Sequence, residues 1–114
     1  MSAPALAASH AALRTLLADI RDEYARKLPE QLALIDSLWR EVAGGSDSRR
    51  EQLLRAAHSM AGAAATFGLP RVGKAALELE RVLQPVCTQG AAPSDRDRIQ
   101  IEDRIAQLQI SAQP

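Results

Sequence analysis

His58 is the residue of this chain best suited to carry chemistry, set in the run Ala56-Ala57-His58-Ser59-Met60-Ala61-Gly62-Ala63-Ala64-Ala65-Thr66-Phe67-Gly68. An imidazole offers an unprotonated ring nitrogen near neutral pH and can serve as a nucleophile. The other histidine, His10, lies in an alanine-rich leader. No Ser/His/Asp arrangement or carboxylate pair stands out for acyl transfer or hydrolysis. Cys87 is the single cysteine, which excludes an internal disulfide and, with so few histidines, leaves too few ligands for a metal site. It reads as a small apolar filler near a helix end. The chemistry rests on one histidine.

The surrounding periodicity says how that histidine is presented. On a wheel of about 100° per residue starting at Leu53, the side chains Leu53, Ala57, Met60, Ala64 and Phe67 cluster within about 40° and mark the core side. His58 then falls near 140°, Gly62 near 180° and Arg55 near 200°. His58 borders the exposed face, one turn after Arg55 and one turn before Gly62. A glycine inside a helix costs up to about 1 kcal/mol relative to alanine. Gly62 is therefore expected either to give another protein clearance at the imidazole or to let a second helix pack closely. An ordinary solvated histidine fits the same pattern. Glu78 and Glu80, flanking Leu79, are expected to face solvent or to pair with Arg81 or Lys74.

Four segments have a helical period. The first, from about Ala11 to Ala43, carries Leu13, Leu16, Leu17, Ile20 and Tyr24, then Leu28, Leu32, Ile35, Leu38, Trp39 and Val42. Pro29 predicts a kink or a break into two helices near Leu28. Gly44-Gly45-Ser46-Asp47 ends the segment. The second helix is expected to start at Ser48, with Ser48 and Glu51 as a capping box, and to run to about Phe67, with Gly68 as C-cap and Pro70 two residues later. The third fits Arg71 to about Leu83, stopping near Pro85. The fourth starts at Ser94 or Asp95 and carries Ile99, Ile101, Ile105, Leu108 and Ile110. Residues 1–10 and 111–114 are expected to be loose ends. Short connections favour antiparallel neighbours, so the expected fold is all-α, an up-down antiparallel four-helix bundle with an additional N-terminal helical segment.

Composition narrows the partners. A chain of 114 residues is one domain's worth of core, spanning residues 1–114. Lys and Arg balance Asp and Glu at 14 each, which argues against nucleic acid as a partner. No apolar run approaches the roughly 18 residues of a membrane span, and the N-terminus lacks the basic start and apolar stretch of a signal peptide. A cytoplasmic monomer is the plain expectation.

The run from His58 to Glu80 resembles the signature of histidine-containing phosphotransfer (HPt) domains, which commonly read His-x-x-Lys-Gly, then small residues, an apolar residue with Gly, and a Leu-Glu pair. The matching positions are His58, Gly62, Ala63 to Ala65, Phe67, Gly68, Leu79 and Glu80. The segment Tyr24-Ala-Arg-Lys-Leu-Pro-Glu-Gln-Leu is similar to the helix that precedes the histidine in such domains. The resemblance implies a phosphocarrier with no kinase activity of its own. His58 is its phosphorylated nucleophile and Gly62 its point of clearance. Its partners are the receiver domains of a hybrid histidine kinase and of a response regulator. It implies no cofactor on this chain, because Mg²⁺ belongs to the receiver. One departure stands out: Ala61 occupies the place of the family's lysine, as in a His-x-x-Ala-Gly variant. Arg55 is the first candidate to supply the missing positive charge, ahead of Arg71 and Lys74. The departure also leaves room for a silent module that docks on a receiver or kinase without transfer.

Overall fold

The computed structural model describes residues 3–114, which form helices α1 (Ala3–Ala43), α2 (Arg50–Thr66), α3 (Pro70–Thr88) and α4 (Asp95–Ser111), with a 3-10 turn at Asp47–Arg49 before α2. No strand occurs among the described residues. Leu53, Ala57, Met60 and Ala64 of α2 pack with Val72, Ala76, Leu79 and Leu83 of α3. Ile101, Ile105 and Leu108 of α4 and Ile35, Leu38, Trp39 and Val42 of α1 complete the core. Each helix packs on the next and α4 returns to α1, so the architecture is an all-α bundle. None of these helices is long and apolar enough to cross a membrane.

Helix α1 starts at Ala3 rather than Ala11 and runs unbroken through Pro29. The alanine-rich leader has the highest intrinsic helix propensity, so residues 3–10 continue the helix with every side chain from Pro4 to His10 exposed. Pro29 is exposed, on the side opposite the buried Tyr24, Leu28 and Ile35. The carbonyl its missing N–H frees belongs to the exposed Ala25, where water replaces the lost partner. At about 1.5 Å per residue the helix spans about 60 Å, close to the molecule's longest dimension of 63 Å. Its first half therefore projects beyond the bundle, and Leu13, Leu16 and Leu17 are more than half exposed.

The other helix ends also differ in part from expectation. Ser48 lies inside the 3-10 turn, and α2 begins after Arg49 with no side-chain cap. Ser48 Oγ instead meets Ser46 Oγ at 3.3 Å. The capping box sits at α4, where Ser94 Oγ accepts from the Asp97 N–H and Asp97 accepts from the Ser94 N–H. Gly68 closes α2 at φ +84°, a left-handed geometry that suits glycine, and the Leu69 N–H bonds the Ala64 carbonyl. Pro70 is the first residue of α3 rather than a spacer before it. Ile99 and Ile110, expected on the core side of α4, are exposed. They stand opposite the buried Ile101, Ile105 and Leu108 on the wheel.

Helix α3 passes Pro85 and continues to Thr88, because its last turn is tied down from outside. Arg50 is the only buried charged residue among those described, at 6% exposure. Its Nη1 donates to the Val86 and Gln89 carbonyls at 2.5 and 2.9 Å, and its Nη2 donates to the Ala91 carbonyl at 2.9 Å. Its Nε donates to Asp47 Oδ1 at 3.0 Å. A cation at a helix C-terminus satisfies orphan carbonyls and complements the macrodipole. The same cation sits near Cys87, whose thiol is pushed up mainly by burial, with Arg50 pulling the other way.

Replacing Arg50 by Met leaves those carbonyls without a donor, and should lower the unfolding free energy in urea by about 2 to 3 kcal/mol. Because burial favours the neutral thiol, Cys87 in the folded chain should react with iodoacetamide more slowly than in the urea-unfolded chain at about pH 8.5. Equal rates would mean the thiol is not held in the protonated form.

Candidate functional site

Helix α2 presents His58, Ala61, Gly62 and Ala65 along one face, at successive three- and four-residue steps. Helix α3 presents Gly73, Leu77 and Glu80 in the same way. These faces meet and line a shallow depression of about 420 Å³, which also includes Lys74. Gly73 is what lets the two backbones close. A Cβ there would stand 3.1 Å from the Ala65 nitrogen and 3.3 Å from the Ala61 carbonyl oxygen. Gly62 is different in kind: a Cβ built on it meets nothing within 4 Å. Of the two expected reasons for a glycine at 62, close packing within the chain is therefore eliminated. The packing glycine is Gly73.

His58 projects from this face with its side chain 74% exposed. Its Nδ1 lies 2.5 Å from Glu80 Oε2, and the Glu80 side chain is only 15% exposed. A carboxylate can only accept, so Nδ1 carries the proton and donates. The free lone pair then resides on Nε2, the nitrogen pointing away from α3. Glu80 thereby fixes the ring's orientation and its tautomer, and adds electron density to the outward nitrogen, as a buried carboxylate does for a catalytic histidine elsewhere. This corrects the expectation that Glu80 faces solvent or pairs with Arg81 or Lys74. Glu78, one residue before Leu79, does reach a cation, but it is Arg104 of α4 at 3.4 Å.

The three candidate cations stand differently toward His58. Arg55 Nη2 is held by Glu51 at 2.6 Å, one turn back on α2, and Arg55 is not part of the His58 depression. Arg71 lines a neighbouring hollow with Glu78, Asp103 and Arg104, and Lys74 borders that one as well. Only Lys74 shares the depression with His58, beside Ala61 and Gly62. Among the described residues no group of three or more His, Cys, Asp or Glu side chains converges in a way that could hold a metal ion.

Phe67, expected with the core stripe, is 37% exposed. It packs its ring at 5.3 Å and 41° on Tyr24 of α1, at the far end of α2 and on the side away from His58. Tyr24 is itself buried, which pushes its hydroxyl above the usual phenol range.

The family model described as "Hpt domain" matches residues 19–111 of this chain. Comparison with curated proteins gave no match, and neither did comparison with solved structures.

The two glycines should answer substitution with opposite signs. Gly62→Ala adds a methyl to open space in a helix and should stabilise the fold by about 0.5 to 1 kcal/mol. Gly73→Ala pushes against backbone atoms of α2 and should destabilise it by about 1 to 3 kcal/mol. Chemical denaturation of both variants beside the parent checks the pair.

Proposed function

Because the chain belongs to the Hpt domain family, shown by a family match over residues 19–111, we propose that it is a phosphorelay intermediate that carries a phosphoryl group on His58 Nε2 between receiver domains. The observation that carries this reading is the exposed imidazole whose Nδ1 is held by Glu80. In the forward step the Nε2 lone pair forms an N–P bond while the bond from phosphorus to the receiver's aspartyl oxygen breaks. The departing carboxylate takes the electron pair. Transfer to a second receiver reverses the same exchange. Mg²⁺ and the groups that polarise the phosphoryl oxygens belong to the receiver, so this chain supplies only a nucleophile, an orienting carboxylate and a shape. A convex histidine with open space over Gly62 suits a partner that brings its own active site to the ring.

Lys74 takes the part of the missing family lysine in this proposal. It approaches from α3 instead of from position 61, and shares the hollow with Ala61 and His58. Because it is exposed, its charge acts through high dielectric and is worth about 1 kcal/mol at best. That is enough to slow hydrolysis of the phosphohistidine or speed its formation by several-fold. Arg55, already engaged by Glu51, contributes less.

Incubation with a phosphorylated receiver should give an acid-labile, alkali-stable phosphohistidine. His58→Gln should fold normally and take up no label, and label in that variant would move the site elsewhere. Gly62→Ala should be the better-folded protein and the slower phosphate acceptor, since its methyl stands where the receiver must approach. Glu80→Gln should retain the fold and lower the transfer rate by about ten- to a hundredfold, with a shifted pH–rate profile that a purely structural role would not produce. Lys74→Gln should cost about two- to fivefold in transfer or in phosphohistidine lifetime, and Arg55→Gln close to nothing. The reverse order would return the charge to Arg55. Receiver binding without phosphate uptake, undiminished in His58→Ala, would favour the silent docking module.

A further inference from the structure

The projecting half of α1 has an apolar stripe that nothing among the described residues covers. Leu6, Leu13, Leu17 and Ile20 lie within about 40° of Tyr24 on the helix wheel, and the same direction carries the buried Leu28, Ile35, Leu38 and Val42. The stripe that builds the core in the second half of α1 thus continues without change of face into the first half. There Leu6, Leu13 and Leu17 are 43, 53 and 56% exposed. A helix of this length gains most of its stability from packing such a face, and an aligned set of exposed leucines marks a contact surface.

We propose that this segment pairs antiparallel with the same segment of a second copy of the chain, making a two-fold symmetric dimer. The sequence pattern selects that occupant. Leu6, Leu13 and Ile20 recur every seven residues, and His10, Leu17 and Tyr24 recur every seven residues between them, which is the two-position seam of a helix pair. Antiparallel alignment brings Leu6 opposite the partner's Leu17 and His10 opposite the partner's Leu13, and symmetry repeats both contacts. The flanks agree with this register, because each larger side chain meets a small one. Arg14 falls beside the partner's Ala7, and Leu16, itself 55% exposed, falls beside the partner's Ser9. No like charges meet, because residues 2–13 contain no Asp, Glu, Lys or Arg. That same lack of cationic side chains sets the tip apart from a helix built to lie on a membrane surface.

The bundle leaves room for the arrangement. At the base of the projection, Leu17, Ile20 and Arg21 form a groove of about 550 Å³ with Thr66, Phe67 and Gly68. In this register the partner's helix begins level with Ile20, so its first turn ends in the groove against the half-exposed Phe67. Each projecting helix fills the space that a bundle helix would occupy if the other chain's bundle were longer. His58, on the opposite side of α2 from Phe67, stays open. A dimer would therefore display two separate phosphotransfer faces, in place of the monomer expected from composition.

Sedimentation equilibrium of the full chain at micromolar concentrations should give twice the 12.3 kDa chain mass. The double variant Leu13→Glu, Leu17→Glu should keep its helical circular dichroism and raise the dimer dissociation constant by more than about 100-fold. In a Cys87→Ser background, Ser9→Cys with Leu16→Cys should form a disulfide-linked dimer under mild oxidation, while either cysteine alone should not. A monomer at these concentrations overturns the proposal, as does a dimer that the glutamates leave intact. Cross-linking through Ser9→Cys alone, which requires parallel helices, also overturns it. So does a wild-type chain that stays monomeric in solution and associates only with lipid vesicles.

Discussion

The close approach of α2 and α3 is the contact on which the site depends. Gly73 sits so near the Ala61 carbonyl and the Ala65 nitrogen that a side chain there would press on the backbone of α2. At that spacing a glutamate on α3 reaches a histidine on α2 directly, within hydrogen-bond distance. A wider pair would leave the imidazole free to rotate and to exchange tautomers. The alanines around it matter for the same reason: small side chains on the facing stripes keep the backbones close while the leucines and Met60 fill the interior behind them.

That pair of helices is held from its far end by a polar device. Arg50 at the start of α2 binds three carbonyls at and beyond the end of α3, so the start of one helix caps the finish of the other. A buried cation is normally costly, but here the guanidinium donates to three carbonyls and to the Asp47 carboxylate. The clamp also explains why Pro85 does not end α3. The carbonyl that the proline leaves unpaired belongs to the exposed Arg81, while the turns that follow are anchored both by Val86 in the core and by Arg50.

Function and architecture divide along α1. Its second half is an ordinary bundle helix, and its first half is an amphipathic rod that meets the bundle only at its base, beside Phe67 and Gly68, among the described residues. The site makes little use of the rod, since His58 looks out from the other side of α2. The proposed phosphotransfer face, made of α2 and α3, and the proposed association face, made of α1 and the end of α2, thus lie apart.

The sequence by itself determined the helical class, the bundle, and the place of His58 at the edge of an exposed face. These follow from local periodicity, which is a property of each helix alone. It also contained the departure at Ala61. What periodicity does not carry is which residues of different helices meet. Glu80 was legible as half of a Leu-Glu pair, yet its role depends on antiparallel register 22 residues away from His58. Arg50 gave no signal, because an arginine at a helix start looks solvated until a second helix ends beside it. Ser48 and Glu51 had the spacing of a capping box, but the 3-10 turn moved the helix start past Ser48 and left Glu51 inside the first turn. Gly62 and Gly73 look alike in the chain. Only packing distinguishes the one that lets two helices touch from the one that leaves open space above the histidine.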